Sequence, residues 1–161
     1  MSVDANKKDI SVGEGTSIVT EAATWKGTPY ALNGQLSTKG AGGDCSGSTQ
    51  KIYLAAKCPY DYQSSICFPE YAINSGLFRE LGSDEKKQEG DILSWHDHMA
   101  IYSSFALDPS NATTERTNAA GHKWTQINDM WTATKPGGLP YLANAMLWFK
   151  PGPPRVFRYV K

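Results

Sequence analysis

The segment GGDCSG at residues 42–47 is the most informative stretch of the chain, because it joins a glycine-rich loop to a predicted helix. Asp44 stands at the N-cap position, where a short polar side chain accepts a hydrogen bond from the first helical turn. Cys45 then falls in that turn, where unpaired N–H groups and the positive end of the helix dipole favour an anion. Both effects predict a lowered thiol pKa and hence a nucleophilic cysteine.

The competing interpretation of Cys45 is an inert, buried thiol next to a helix cap. Inert cysteines usually lie in apolar runs, whereas Cys45 has polar and glycine neighbours, which favours the reactive interpretation. Cys58 and Cys67 belong to the structural kind, and the sequence leaves open whether they form a disulfide.

A nucleophilic cysteine needs a base, and the chain has three histidines. His96 and His98 lie in the segment GDILSWHDHMAIY, and His122 follows a glycine. We predict His98 as the base because it opens a predicted strand, which holds an imidazole more rigidly than a loop. A metal site formed by His96, Asp97, His98 and a cysteine is the rival. No second ligand cluster with CxxC or HExxH spacing supports it, so we predict neither metal nor cofactor.

A third polar group must orient the base. A residue on a strand that returns beside His98 would be placed to do so, and we select Asn118 for this position. Asn111 and His122 remain alternatives.

The order of the predicted elements favours an α+β fold. Apolar residues recur at helical spacing from Thr16 to Trp25, a second helix begins near Cys45, and Pro69 opens a third over residues 69–81. Period-two segments follow, around a tight turn at residues 96–97 and at the C-terminus, so helices precede an antiparallel sheet. Residues 106–117 are predicted as a polar excursion, and residues 135–154 as loop with one apolar segment, YLANAMLWF. Residues 1–15 are expected to form a flexible arm, and residues 16–161 a single domain.

Composition excludes several classes of protein. Sixteen basic residues balance sixteen acidic ones among 161, which argues against nucleic-acid binding. No apolar run approaches the ~20 residues that span a bilayer. The first residues contain no apolar signal core, so we expect secretion or delivery to the cell wall by a route without a cleaved signal peptide.

The motifs together resemble the NlpC-type cell-wall peptidases. The resemblance rests on GTPY at residues 27–30, DCSG at 44–47, the strand GDIL at 90–93 and HMAIY at 98–102, in that order. It implies a papain-like α+β fold in which N-terminal helices pack on a central antiparallel sheet. It also implies that Cys45 is the nucleophile and His98 the base, with Asn118 where the family has its third polar residue.

The resemblance further implies a substrate and its contacts. The substrate would be the stem peptide of peptidoglycan, cut between D-glutamate and diaminopimelate or, in fewer members, at the D-alanine cross-link. Tyr30, Asp44 and Ser46 would contact it, and Trp95 and His96 beside the base are added to the predicted substrate-binding residues. The chain shows neither a signal peptide nor a wall-binding domain, and in this it resembles the small amidase toxins of type VI secretion. Those toxins travel with an immunity protein. We expect the present protein to be a monomer.

Two other functions compete with this interpretation. One is a non-catalytic wall-binding module, against which the presence of both Cys45 and His98 argues. The other is a different thiol acyltransferase on the same scaffold.

Overall fold

The computed structural model describes residues 6–133, 142–144 and 152–161, and within them three α-helices precede eight β-strands. The helices are α1 (Val12–Ala23), α2 (Cys45–Ala55) and α3 (Phe68–Ser75). The strands are β1 (Phe78–Glu80), β2 (Ile92–Trp95), β3 (His98–Tyr102), β4 (Thr113–Thr117), β5 (Lys123–Ile127), β6 (Met130–Thr132), β7 (Leu142–Asn144) and β8 (Arg155–Tyr159). Among the described residues, no helix is long and apolar enough to cross a bilayer.

Six of the strands form one antiparallel sheet in the order β1-β8-β2-β3-β6-β7. Strands β4 and β5 pair only with each other, as a separate two-stranded ribbon between β3 and β6. The predicted α+β class, with helices packed on a central antiparallel sheet, is therefore confirmed. The predicted tight turn is also present, because Trp95 pairs with His98 and only His96 and Asp97 lie between them.

The main core lies between the helices and one face of the sheet. Side chains from both layers are almost fully buried there: Ile18, Ile52, Tyr53, Phe68, Ile92, Met99, Ile101 and Phe157. The other sheet face carries a smaller apolar cluster, formed by Leu93, Trp95, Ala100 and Met130. Because side chains alternate along a strand, β3 sends Met99 to the helices and Ala100 to the opposite face.

The N-terminal segment is more ordered than the sequence predicted. Helix α1 begins at Val12, because Ser11 accepts from the Glu14 amide while the Glu14 side chain accepts from the Ser11 amide, forming a capping box. The backbone of Lys8 pairs with that of Lys161 at the C-terminus. The predicted flexible arm over residues 1–15 is therefore wrong for residues 6–15, and residues 1–5 lie outside the described part.

Three other predicted boundaries need correction. Helix α3 stops at Ser75, since Gly76 adopts a left-handed conformation (φ 73°) and the chain continues into β1 instead of helix. The polar excursion at 106–117 contains β4. Most of segment 135–154, predicted as loop with one apolar segment, lies outside the described residues, and within that apolar segment residues 142–144 form strand β7.

A buried ion pair holds β2 beside β8. Arg158 donates to both carboxylate oxygens of Asp91, from Nε at 2.9 Å and from an η nitrogen at 2.8 Å. The Gln88 amide donates to the same carboxylate, also at 2.8 Å. These bonds compensate the burial of Asp91, and they fix the start of the hairpin that carries His98.

The two glycines in α1 provide a matched test of the packing between this helix and the loop before β2. A Cβ on Gly15 would lie 2.1 Å from the Glu89 carbonyl oxygen, whereas a Cβ on Gly13 would meet nothing closer than 3.8 Å. We expect Gly15→Ala to lower the free energy of unfolding by about 1–3 kcal/mol through overpacking. Gly13→Ala should raise it by up to about 1 kcal/mol through helix propensity.

Chemical denaturation of both variants measures the difference. Equal stabilities would contradict the described contact between α1 and residue 89.

Candidate active site

The carboxylate of Asp44 builds the N-terminus of α2. Its Oδ1 accepts from the Gly47 amide at 2.8 Å, as predicted for an N-cap, and its Oδ2 accepts from the Gly34 amide at 2.8 Å. The Ser46 hydroxyl also points at Oδ1, at 3.4 Å. Asp44 is buried and its oxygens are occupied by the protein, so its first role is to hold the cysteine turn against the preceding loop.

Gly47 is required by the close approach of that loop. A Cβ at this position would lie 2.1 Å from the Gly34 carbonyl oxygen and 2.1 Å from Ser37 Oγ. Ser37 Oγ in turn accepts from the Asp44 amide at 3.3 Å. The glycine therefore lets residues 34–37 pack directly on the first turn of α2.

The thiol of Cys45 lies in a more buried setting than the sequence predicted. Burial raises the pKa of Cys45 to about 11, and the Asp44 carboxylate raises it further. The backbone N–H groups of Met99, Ser46 and Cys45 itself donate toward the sulfur and act in the opposite direction. The expected lowering of this pKa by the helix end is thus wrong, because desolvation outweighs the amides. The balance of these effects favours the neutral thiol near pH 7.

The imidazole of His98 is buried and has a defined partner. Its Nε2 lies 2.9 Å from Thr132 Oγ1, a side chain on the neighbouring strand β6. The same hydroxyl donates its single proton to the Met99 carbonyl at 2.7 Å. Toward His98 it must therefore accept, which places the ring proton on Nε2 and leaves Nδ1 as the basic nitrogen.

The peptide groups of Met99 connect the thiol to this arrangement. Its N–H group donates toward the Cys45 sulfur, and its carbonyl accepts from Thr132. Met99 directly follows His98 in β3. The structure thereby brings the cysteine turn of α2 to the strand residue next to the predicted base.

Two tyrosines lie near the cysteine turn. Burial raises the pKa of Tyr30 to about 12, and the nearby Cys45 and Asp44 add to the rise, so its phenol stays protonated. The hydroxyl of Tyr62 lies 3.0 Å from the Ser46 hydroxyl. Tyr30, Asp44 and Ser46, all predicted as substrate contacts, are thus grouped around Cys45. Tyr62 joins them, and no sequence signal marks it, since it is one tyrosine in an irregular loop.

The structure places Asn118 away from the role predicted for it. Its side-chain oxygen accepts from the amides of Ala120 and His122 and so closes the turn of the β4–β5 ribbon. Asn118 and the alternative His122 are both exposed there, and Asn111 binds Lys26 and Asp108. The hydroxyl beside the imidazole is that of Thr132, which corrects the choice of Asn118.

Trp95 and His96 precede the predicted base, at the end of β2 and in the turn to β3. The Trp95 ring centroid is 5.9 Å from that of His98, and the two rings are tilted by 41°. His96 is exposed in the turn that follows. Both residues line a groove of about 650 Å³ that runs toward the beginning of α3.

The remaining cysteines and the metal alternative can be assessed directly. Cys58 is buried, Cys67 is exposed, and both are free thiols, as is Cys45. Within residues 6–133, 142–144 and 152–161, no group of three or more His, Cys, Asp or Glu side chains is arranged to hold a metal ion. His96, Asp97 and His98 therefore do not complete the metal site considered from the sequence.

The fold and the site define an α+β protein in which a helix-terminal cysteine contacts the strand residue that follows a buried histidine, and that histidine is bonded to a threonine. No protein-family model matches the chain, and no curated protein matches it. Among solved structures, it is similar to a protein from Staphylococcus aureus subsp. aureus Mu50, described as similar to a lipoprotein of the NLP/P60 family, with 18% sequence identity and a TM-score of 0.48. The match covers 98% of this chain and 44% of that one.

Thiol alkylation tests the electrostatics of the site. At pH 8 a thiol with a pKa of about 11 is ionised in only about one molecule in a thousand. Since iodoacetamide reacts with the thiolate, the exposed Cys67 should be labelled before Cys45, and Cys45 labelling should rise about ten-fold per pH unit from pH 8 to 10.

Peptide mass mapping of partly labelled protein gives both rates, with Cys67→Ser as the control that leaves Cys45 unchanged. Faster labelling of Cys45 than of Cys67 at neutral pH would show a preformed thiolate instead.

Proposed function

We propose that the protein is a cysteine peptidase that hydrolyses amide bonds in the stem peptides of peptidoglycan. The observation that carries this proposal is the contact of the Cys45 sulfur with the amide of Met99, next to His98 and its Thr132 partner. A nucleophile, a base with one defined basic nitrogen and a group that orients the base are the parts that thiol acyl transfer requires. The motifs shared with NlpC-type peptidases supply the substrate class.

The first step begins from a neutral thiol. His98 Nδ1 removes the proton of Cys45 as the sulfur attacks the amide carbonyl, so the base acts during the attack and no preformed ion pair is needed. The developing oxyanion is stabilised by backbone N–H groups of the first α2 turn and by the protonated phenol of Tyr30. The imidazolium that forms keeps its Nε2 proton, which it donates to the Thr132 hydroxyl.

The second step releases the amine. The imidazolium gives its Nδ1 proton to the nitrogen of the scissile bond, the carbon–nitrogen bond breaks, and the acyl group remains on Cys45 as a thioester. Water then attacks the thioester with Nδ1 as its base, which releases the carboxylic acid and restores the thiol.

A finer form of the proposal concerns the bond and the setting. The resemblance favours the γ-D-glutamyl–diaminopimelate bond, with the D-alanine cross-link as the other choice. We also propose action at the cell wall, as an antibacterial effector opposed by an immunity protein. Analysis of the fragments released from purified peptidoglycan identifies the bond, and it separates a peptidase from a wall-binding module or a lipid acyltransferase.

The nucleophile is tested by Cys45→Ala on purified peptidoglycan. We expect fragment release to fall to the uncatalysed level, with an unchanged circular dichroism spectrum, because the side chain is replaced at the helix start without disturbing Asp44. His98→Gln should cause a comparable loss, since both act in one proton transfer. Cys67→Ser, on the exposed thiol, is the matched control and should keep full activity. Full activity of Cys45→Ala would refute the proposal.

The orienting role is tested by paired substitutions of Thr132. Thr132→Val removes the hydroxyl at nearly constant volume and should lower kcat about 10- to 100-fold with little change in KM, because the imidazole loses its defined orientation. The variant should also be less stable by about 1–3 kcal/mol, since two buried groups lose their partner.

Thr132→Ser keeps the hydroxyl and should recover most of kcat. Equal kcat values for the two variants, compared at the same folded fraction, would contradict an orienting role of the Thr132 hydroxyl.

A further inference from the structure

We infer that the groove between the β2–β3 turn and α3 binds the amine side of the scissile bond, through an aliphatic side chain of the residue that leaves. This inference rests on the proposed function. The groove is lined by Ile66, Pro69, Glu70, Ile73, Ser94, Trp95, His96, Pro153 and Arg155. Its volume of about 650 Å³ lies in the range of sites that hold small ligands.

The position of the groove relative to the base determines which half of the substrate it takes. His98 protonates the leaving nitrogen, so the amine side must lie on the imidazole side of the site. The acyl group stays bonded to Cys45 and lies over the helix end, near Tyr30 and Tyr62. Trp95 is in contact range of the His98 ring and also lines the groove. A chain leaving the imidazole along Trp95 therefore enters the groove directly.

The walls of the groove are apolar where a ligand would contact them. Ile66, just before α3, is 60% exposed, and Ile73, within α3, is 37% exposed. Both line the groove, as does Trp95 at the end of β2. Two exposed isoleucines in one groove match an aliphatic side chain, whose burial would remove their apolar surface from water. The lining also includes Glu70 and His96, which would leave polar ends of a ligand near polar side chains.

The experiment compares substrates that share an acyl part and differ only on the amine side. The probes are L-alanyl-γ-D-glutamyl-norleucine amide, the same compound with alanine in place of norleucine, and the corresponding p-nitroanilide, which has no amine-side residue. We expect the wild-type protein to prefer norleucine over alanine in kcat/KM. Ile73→Ser and Ile66→Ser should each lower kcat/KM for the norleucine compound about ten-fold, because a buried apolar contact is lost.

The same variants should hydrolyse the p-nitroanilide at the wild-type rate, and Ile127→Ser, at a 75% exposed position on the ribbon, is the matched control for all three probes. Loss of activity on the anilide by an equal factor, or an unchanged norleucine preference, would overturn the assignment of the groove. Calorimetric binding of the two peptides to the Cys45→Ala variant makes the test independent of turnover. The assignment is supported if the Cys45→Ala variant binds the norleucine peptide more tightly than the alanine peptide and if adding Ile73→Ser removes that difference. Equal binding of both peptides refutes it.

Failure of the proposed function gives a different result. In that case the wild-type protein would cleave none of the three probes and would release nothing from peptidoglycan, whatever residue occupies position 73.

Discussion

The carboxylate of Asp44 joins two parts of the chain that would otherwise be independent. One oxygen caps the helix that starts with Cys45, and the other holds the amide of Gly34 in the preceding loop. Because Gly47 has no side chain, the loop packs on the first helical turn with backbone atoms in contact. The position of the sulfur is therefore set by a buried carboxylate and a close backbone approach, and the electrostatic cost is a higher thiol pKa.

A second constraint comes from the sheet. In strand β3 the Met99 N–H group donates toward the Cys45 sulfur, and the Met99 carbonyl accepts from Thr132. The proposed nucleophile and the residue proposed to orient the base are thus linked through the residue that follows His98. The hydroxyl of Thr132 can donate only once, and its donation to Met99 fixes which imidazole nitrogen carries the proton. In the proposed mechanism, the neutral hydroxyl of Thr132 orients the imidazole, and the thiol is neutral before the reaction.

Local features of the sequence predicted local features of the structure. The N-cap at Asp44, the helix from Cys45 and the turn at residues 96–97 follow from neighbouring residues, and all were predicted correctly. The capping box at Ser11 and Glu14 was also visible, but the two glycines in that helix lowered its apparent propensity. By contrast, the contact of Thr132 with His98 depends on the pairing of β3 with β6 across an intervening ribbon, which no spacing reveals. The thiol pKa depends on atoms gathered from distant segments, so the helix-end argument alone gave the wrong direction.

The contacts of the proposed site are divided between α2 and the sheet, and this has a consequence for how the proposed activity would be lost. Helix α2 is capped within its own segment, whereas the sulfur's partner Met99 and the orienting hydroxyl belong to the sheet. Opening of the β2–β3 hairpin would separate these groups while the helices persist. Loss of the proposed activity on mild heating or in low denaturant should then precede loss of the helical circular dichroism signal, because the proposed site depends on tertiary assembly and not on secondary structure alone.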